Sequence, residues 1–510
     1  MTGTPADRVV LSRRALLAAG AALAGGLAVT GCGSSPRPTQ TPAPPSNAAI
    51  AAAEAARPHT GRTVTATLTP QLETIDLGGT RAATLAYGST VPGPVIRANV
   101  GDELAVTVAN RLNHPTSVHW HGIALRNDMD GAPPATPDVG PGTDFTYRFT
   151  AAHPGTYWAH PHTGLDADTG LYLPLIIDDP NEPGGYDAEW IVVLDDWTDG
   201  IGKTPTEIYA DLHPSSAPAG DQMPGMPGMG AMPAMAGVGA SPLLGGDAGD
   251  VGYPYYLING RIPAAPTTFT ATPGQRIRIR IINAGSDTAF RVALAGHTMT
   301  VTHTDGYPVM PTDVDALLIG MGERYDVTVT ARDGVFPLVA SAEGKNGLAR
   351  ALLSTAAGTG PEATFAPPEL SGRLGTVEMF TATPDVDLGP AKPDTALAAT
   401  LSGGMATYDW TINGRAFADT QPLTITQGQR ATLTFTNTTM MWHPMHLHGH
   451  TFQIVRADGS RGARKDTVIV LPMATVTVGL VADNPGTWML HCHNTYHQEA
   501  GMMTSLDYTT

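Results

Sequence analysis

Apolar and polar residues alternate with a period of two along most of this chain, as in "DELAVTVANRL", "QRIRIRIINAG" and "QRATLTFTNTT", with turn-forming residues between such runs. Side chains two apart in an extended strand share a face, so these runs predict strands, not helices. The three segments also align with one another. Each follows a glycine and reaches an asparagine nine residues on: Gly101 to Asn110, Gly274 to Asn283 and Gly428 to Asn437. Similar text leads into each, "VPGPVIRANV", "RIPAAPTTFTATP" and "RAFADTQPLTITQ". A repeat at this spacing is domain-sized, which predicts an all-β chain of three β-sandwiches, not a solenoid.

After the shared strand the copies diverge. The first continues to "SVHWHG" and the third to "WHPMHLHGH", while the middle copy reaches only "FRVALAGH". Four H-x-H pairs result: His119 and His121, His160 and His162, His446 and His448, His491 and His493. In a strand each pair presents two imidazoles to one face. Two pairs fall in the first copy and two in the third, so face-to-face contact between those copies gathers eight imidazoles at one interface.

Cys492 lies between His491 and His493 and faces the other way, into the third sandwich. There it meets His443 of "HPMH" and His497, five residues on. Two imidazoles, a thiolate and a distant thioether form the ligand set of a blue-copper electron-transfer site. Met502 is the expected thioether and Met503 its rival. An electron leaving such a site passes through Cys492 to either flanking histidine, so the sulfur serves as conductor and ligand together.

At 510 residues the chain has material for about three domains. Its 46 acidic residues against 29 Lys and Arg give a net charge of −17, which repels nucleic acid and anionic lipid. Residues 1–32 read as an export signal: Arg13 and Arg14, an apolar run too short to span a bilayer, then "VTGC" ending at Cys32. "VTGC" resembles a bacterial lipobox, which implies lipid on Cys32 and anchorage to the outer face of the cytoplasmic membrane. Residues 33–60 are rich in Pro, Ser and Ala and read as a tether. With Cys32 so used, Cys492 has no partner in the chain and a disulfide framework is excluded.

"HWHG", "TYWAHPH", "HPMHLHGH" and "HCHNTYHQEAGMM" resemble the four copper motifs of the multicopper oxidases, over about residues 61 to 510. The lipobox, "GIALRNDMDG" and "DGYPV" are most similar to actinobacterial copper-detoxifying members. The resemblance implies three cupredoxin-like Greek-key domains, at 61–180, 181–365 and 366–510. It also implies four copper ions. The type 1 copper would take His443, Cys492, His497 and Met502. The type 2 copper would take His119 and His446, and the type 3 pair His121, His160, His162, His448, His491 and His493. Asp130 of "DMDG" matches the family's acidic residue that helps supply protons to dioxygen. Asp466 of "RKDTV" matches a position near the type 1 histidine. Where bacterial relatives often carry glutamate after the second type 1 histidine, this chain has Gln498 with Glu499 beside it, so either Glu499 or water is expected to substitute, or proton delivery relies on Asp130.

In the family, electrons come in through the type 1 histidines, whose ring edges usually lie near the surface. Residues 223–235, "MPGMPGMGAMPAM", repeat methionine every third position. Three residues make one turn of polyproline II, so in that form five thioethers share a face. Thioethers favour Cu(I) over hard cations. The expected reaction is oxidation of Cu(I) in copper detoxification, coupled to reduction of dioxygen to water. The alternatives are a laccase-like oxidase of phenols and aromatic amines, and a copper-sequestering lipoprotein without catalysis. His59, His114, His153, His213, His297, His303 and His450 lack paired spacing and are expected at the surface or behind the site.

Overall fold

A computed structural model describes residues 47–182, 184–213, 238–389 and 392–509. The export signal, Cys32 and the methionine repeat of 223–235 lie outside the described residues. Strands dominate the described residues and build three cupredoxin-like sandwiches.

In the first, Thr63–Leu68 pairs parallel with Glu103–Ala109, which pairs antiparallel with Asp144–Thr150. The other sheet runs Ile96–Asn99, Leu173–Asp178, Gly155–His160, His119–His121. The middle sandwich has two six-stranded sheets, one centred on Ala188–Trp197, Arg276–Asn283 and Arg324–Thr330. The third packs a six-stranded sheet containing Arg430–Asn437 against a five-stranded one. The latter runs Leu423–Thr426, Met503–Thr509, Thr487–Cys492, His443–Leu447, Thr467–Val470.

The repeated glycine and asparagine have a common structural cause. Gly101, Gly274 and Gly428 sit at φ +84°, +86° and +85°, a left-handed turn that glycine alone adopts at little cost. Each asparagine ends the following strand or, for Asn110, comes directly after it, is buried, and bonds the loop beyond with its side chain. Asn110 Nδ2 donates to the backbone oxygens of His114 and Val139, and Asn110 Oδ1 accepts from Leu112 N. Asn283 does the same with Thr288, Ile319 and Gly285, and Asn437 with Met441, Val470 and Thr439. In the outer copies the loop so fixed leads directly to a histidine motif.

Part of the segment read as tether is ordered. Asn47–Ala55 is a helix, and Thr150 N donates to Glu54 Oε1 at 2.8 Å. Arg57 donates to the Ala124 backbone oxygen and to Asn484 Oδ1, and Thr60 bonds Asp102. The reason is legible only in three dimensions, because these polar partners come from strands and turns far along the chain.

Candidate metal centre

Strand pairing assembles the histidines. His119 lies opposite His160 across the antiparallel pair His119–His121 and Gly155–His160. In the third sandwich His446 lies opposite His491, and Met445 opposite Cys492. The two sets meet at the interface between first and third sandwiches, where all eight imidazoles are buried.

Their nitrogens fall into three groups. His119 Nε2 and His446 Nε2 stand 3.5 Å apart. His448 Nε2 and His162 Nε2 lie 3.0 and 3.4 Å from His491 Nε2. His493 Nε2 is 3.2 Å from His121 Nδ1, with the His160 ring centroid 5.1 Å from that of His493. The groups adjoin one another, since donor atoms of His119 also cluster with those of His121 and His160 and with those of His446 and His448.

Partners on the far side of each ring decide which nitrogen faces inward. Nδ1 of His119, His446, His491 and His160 donates to the backbone oxygens of Asp130, Asp466, Cys492 and Pro161, at 2.9 to 3.0 Å. His448 Nδ1 donates to Asp130 Oδ2 at 2.8 Å. Each of these rings therefore turns a bare Nε2 to the centre. His121 is reversed: Nε2 donates to Asp466 Oδ1 at 3.1 Å and Nδ1 faces inward.

Burial drives His121, His160, His448, His491 and His493 well below the usual histidine pKa and His162 to about 3, which holds those six rings neutral. Neutral imidazole is the metal-binding form. His160 Nε2 is buried without a hydrogen bond, and several inward lone pairs confront each other at 3.0 to 3.5 Å. A cation between them turns that repulsion into coordination, so the donor set fits copper in type and orientation.

On the other face of the HCH strand, Cys492 Sγ lies 3.7 Å from both His443 Nδ1 and His497 Nδ1, which are 3.1 Å from each other. All three side chains are fully buried. Met502 is also fully buried and Met503 only partly. The expectation of imidazole edges near the surface does not hold here. His443 Nε2 is bonded by Thr439 Oγ1 at 2.9 Å, and His497 Nε2 by Asp250 Oδ2 at 2.9 Å. Burial opposes a charge on His497, but Asp250 and Cys492 outweigh it and raise that ring to about 10.

Two expectations need correction. Asp466 is not beside the type 1 histidine. Thr467 pairs with His446 and Val470 with His443, so the antiparallel register sets Asp466 against His446 and His121 instead. Glu499 ends the short helix Thr495–Glu499 with an exposed side chain, whereas Gln498 is buried. Asp130 is fully buried against His448 and His119. His450 lies behind His448, bonding its backbone oxygen. Sequence reasoning missed Asp250, Thr439 and Arg324, the last bonded to Asp466; Thr439 is four residues before His443, while Asp250 and Arg324 lie far along the chain from their partners.

Profiles of the family described as Multicopper oxidase match residues 71–182, 188–358 and 390–510. The chain belongs to the multicopper oxidase family. It is 64% identical to "Multicopper oxidase MmcO" of Mycobacterium tuberculosis (strain ATCC 25618 / H37Rv), over 99% of this chain and 98% of the relative. It is 30% identical to "Copper resistance protein A homolog" of Pseudomonas syringae pv. tomato, over 84% of this chain and 89% of the relative. Among solved structures, a laccase from Botrytis aclada matches with a TM-score of 0.72 and 26% identity, covering 89% of each chain. This multicopper oxidase is therefore a copper-dependent oxidoreductase with dioxygen as acceptor.

Proposed function

We propose that this multicopper oxidase oxidises Cu(I) to Cu(II) in copper detoxification and passes the electrons to dioxygen, using one type 1, one type 2 and two type 3 coppers. Four electrons and four protons convert one dioxygen to two waters, so four Cu(I) ions are consumed per turnover. The observation that carries the oxidase reading is the position of Cys492. Its sulfur lies between His443 and His497, while its chain neighbours His491 and His493 sit among the eight imidazoles. Copper, when bound, supplies one-electron redox capacity at Cys492 and dioxygen reduction among the imidazoles.

The chain supplies the rest. Backbone bonds join Cys492 to both histidines, giving a covalent electron path, and storage without catalysis requires no such path. Burial of the cluster keeps bulk water out. Asp130 holds His448 through Oδ2, and its Oδ1 has no hydrogen-bond partner among the described residues, so it is placed to carry a proton. Glu499 faces solvent and both oxygens of Asp466 are taken by Arg324, which leaves Asp130 as the carboxyl group for that task.

The cuprous reading is supported by the chain's thioethers, which are soft donors. Met440 is 71% exposed, next to Thr439, whose hydroxyl bonds His443. The five methionines of 223–235 add further thioethers, and a relative carries a copper-resistance name. The second reading, oxidation of phenols, draws on the similarity to the B. aclada laccase. We also propose lipid anchorage through Cys32 at the outer face of the cytoplasmic membrane, supported by the twin arginines and "VTGC".

Initial dioxygen uptake with Cu(I) and with a phenol, before and after deletion of 223–235, tests the substrate. The cuprous rate is expected to fall severalfold and the phenol rate to hold. An unchanged cuprous rate would remove the methionine argument and favour the phenol reading.

A further inference from the structure

The middle sandwich carries no paired histidines, yet it reaches the cluster. Its turn at Gly320–Glu323 brings Gly322 against the rings of His493 and His121, and the next residue, Arg324, is fully buried. The Arg324 guanidinium donates to atoms from all three sandwiches. Nη1 and Nη2 reach Asp466 Oδ1 and Oδ2 at 2.7 and 2.6 Å, Nε reaches the Thr156 backbone oxygen at 3.1 Å, and Nη1 reaches the Gly322 oxygen at 3.1 Å. A planar fork binding both carboxylate oxygens fixes the orientation of that carboxylate as well as its charge.

Asp466 passes that orientation on. Oδ1 accepts from His121 Nε2 at 3.1 Å and from Thr467 Oγ1 at 2.9 Å, and its backbone oxygen accepts from His446 Nδ1 at 3.0 Å. His121 is the reversed ring of the cluster, turning Nδ1 inward, and the Asp466 carboxylate accepts its outward Nε2–H. The clamp is itself held from behind. Asp305 Oδ2 accepts from the backbone N–H of Asp466 and Thr467, and Asp305 Oδ1 accepts from that of Arg324. Lys465 pairs with Asp305 and Glu323 at 3.1 Å each.

We propose that the Arg324–Asp466 pair is a positioning device for the cluster, through which the middle sandwich fixes the inward nitrogens of His121 and His446. The proposal rests on the reading that the eight imidazoles hold copper. Arg324 touches no reacting atom; it acts through Asp466. The middle domain thereby has a catalytic-site role despite supplying no ligand.

The test uses the copper-loaded full chain. Wild type, Arg324→Lys and Arg278→Lys are compared, the last loosening a buried pair with Asp326 that contacts none of the eight histidines. Three quantities are read: copper retained against a chelator, blue absorption at Cys492, and the paramagnetic spectrum of copper held by His119 and His446. Arg324→Lys is expected to lose cluster copper about 10- to 100-fold more readily than wild type. Its blue absorption per chain should persist and its type 2 hyperfine splitting should shift, with Arg278→Lys unchanged. Wild-type retention and spectrum in Arg324→Lys would overturn the proposal, as would equal loss in Arg278→Lys. If Arg324→Lys yields no soluble chain, the isosteric Asp466→Asn replaces it with the same expected loss, and wild-type retention there overturns the proposal. A wild-type chain that keeps blue absorption but binds no cluster copper would instead sink the underlying copper reading.

Discussion

At the scale of the residue, Asp130 shows how one side chain serves both outer domains. Its backbone oxygen takes the His119 ring N–H and its carboxylate takes that of His448, so it orients one imidazole from each. Asp130→Asn keeps an acceptor oxygen for His448, and copper content is expected to stay at the wild-type value. If Asp130 carries protons as proposed, turnover should fall about 10²- to 10⁴-fold, read as dioxygen uptake on preparations matched for copper. Equal turnover in the variant would take proton supply away from Asp130. The clustered histidines and Cys492 are legible because a period of two is a local signal: H-x-H and H-C-H state in three letters which side chains share a face. Asp250, 247 residues from His497 in the chain, leaves no such trace. Asp466 was misplaced for a related reason. Its distance from His443 in sequence says nothing about register, and the antiparallel pairing puts its neighbour Thr467 opposite His446, with the Asp466 backbone oxygen on His446 Nδ1.

At the scale of the element, the repeated strand with its glycine and asparagine was fully readable, because each copy repeats the same turn and the same side-chain bonds to the next loop. The turn carrying Gly322 was not, since its importance comes from what it touches. Gly322 has φ +82°, and a Cβ there would lie 2.8 Å from His493 Cδ2 and 2.9 Å from His121 Cε1. Gly274 has nearly the same backbone, φ +86°, with nothing within 4 Å of such a Cβ. Alanine at either position adopts left-handed geometry at a cost of about 1–2 kcal/mol. Both variants should lower the thermal midpoint, but only Gly322→Ala should also lose copper from the cluster. Copper measured per chain separates the two effects, and equal copper content would show that the Gly322 contact is slack.

At the scale of the whole molecule, the alternation of "RIRIRI" places arginines opposite isoleucines, a pattern that ordinarily marks a solvated face. Arg278 and Arg280 are instead buried, paired with Asp326 and with Glu182 and Glu189. Strand period was legible there; the neighbour covering the polar face was not. Between them lies His303, which faces Arg278, Glu182 and Asp326. Burial lowers its pKa from 6.5 to about 4, with Arg278 and Arg280 opposing the carboxylate of Asp326. The unfolded chain therefore takes up this proton first. The stability contribution is present above pH 6.5 and is lost as pH falls from 6.5 towards about 4, by an amount on the order of 3 kcal/mol. His303→Gln should flatten that acid limb in a plot of thermal midpoint against pH; an unaltered limb would assign it to other groups.

The proposed chemistry requires the first and third sandwiches to share one copper cluster, connected to a separate copper through Cys492. Anomalous diffraction at the copper edge, from crystals of the copper-loaded chain, measures this directly. Three copper peaks enclosed jointly by His119, His121, His160 and His162 from one side and His446, His448, His491 and His493 from the other are predicted, with a fourth beside Cys492, His443 and His497. Copper confined to a single sandwich, with no peak bounded by histidines of both, would contradict it.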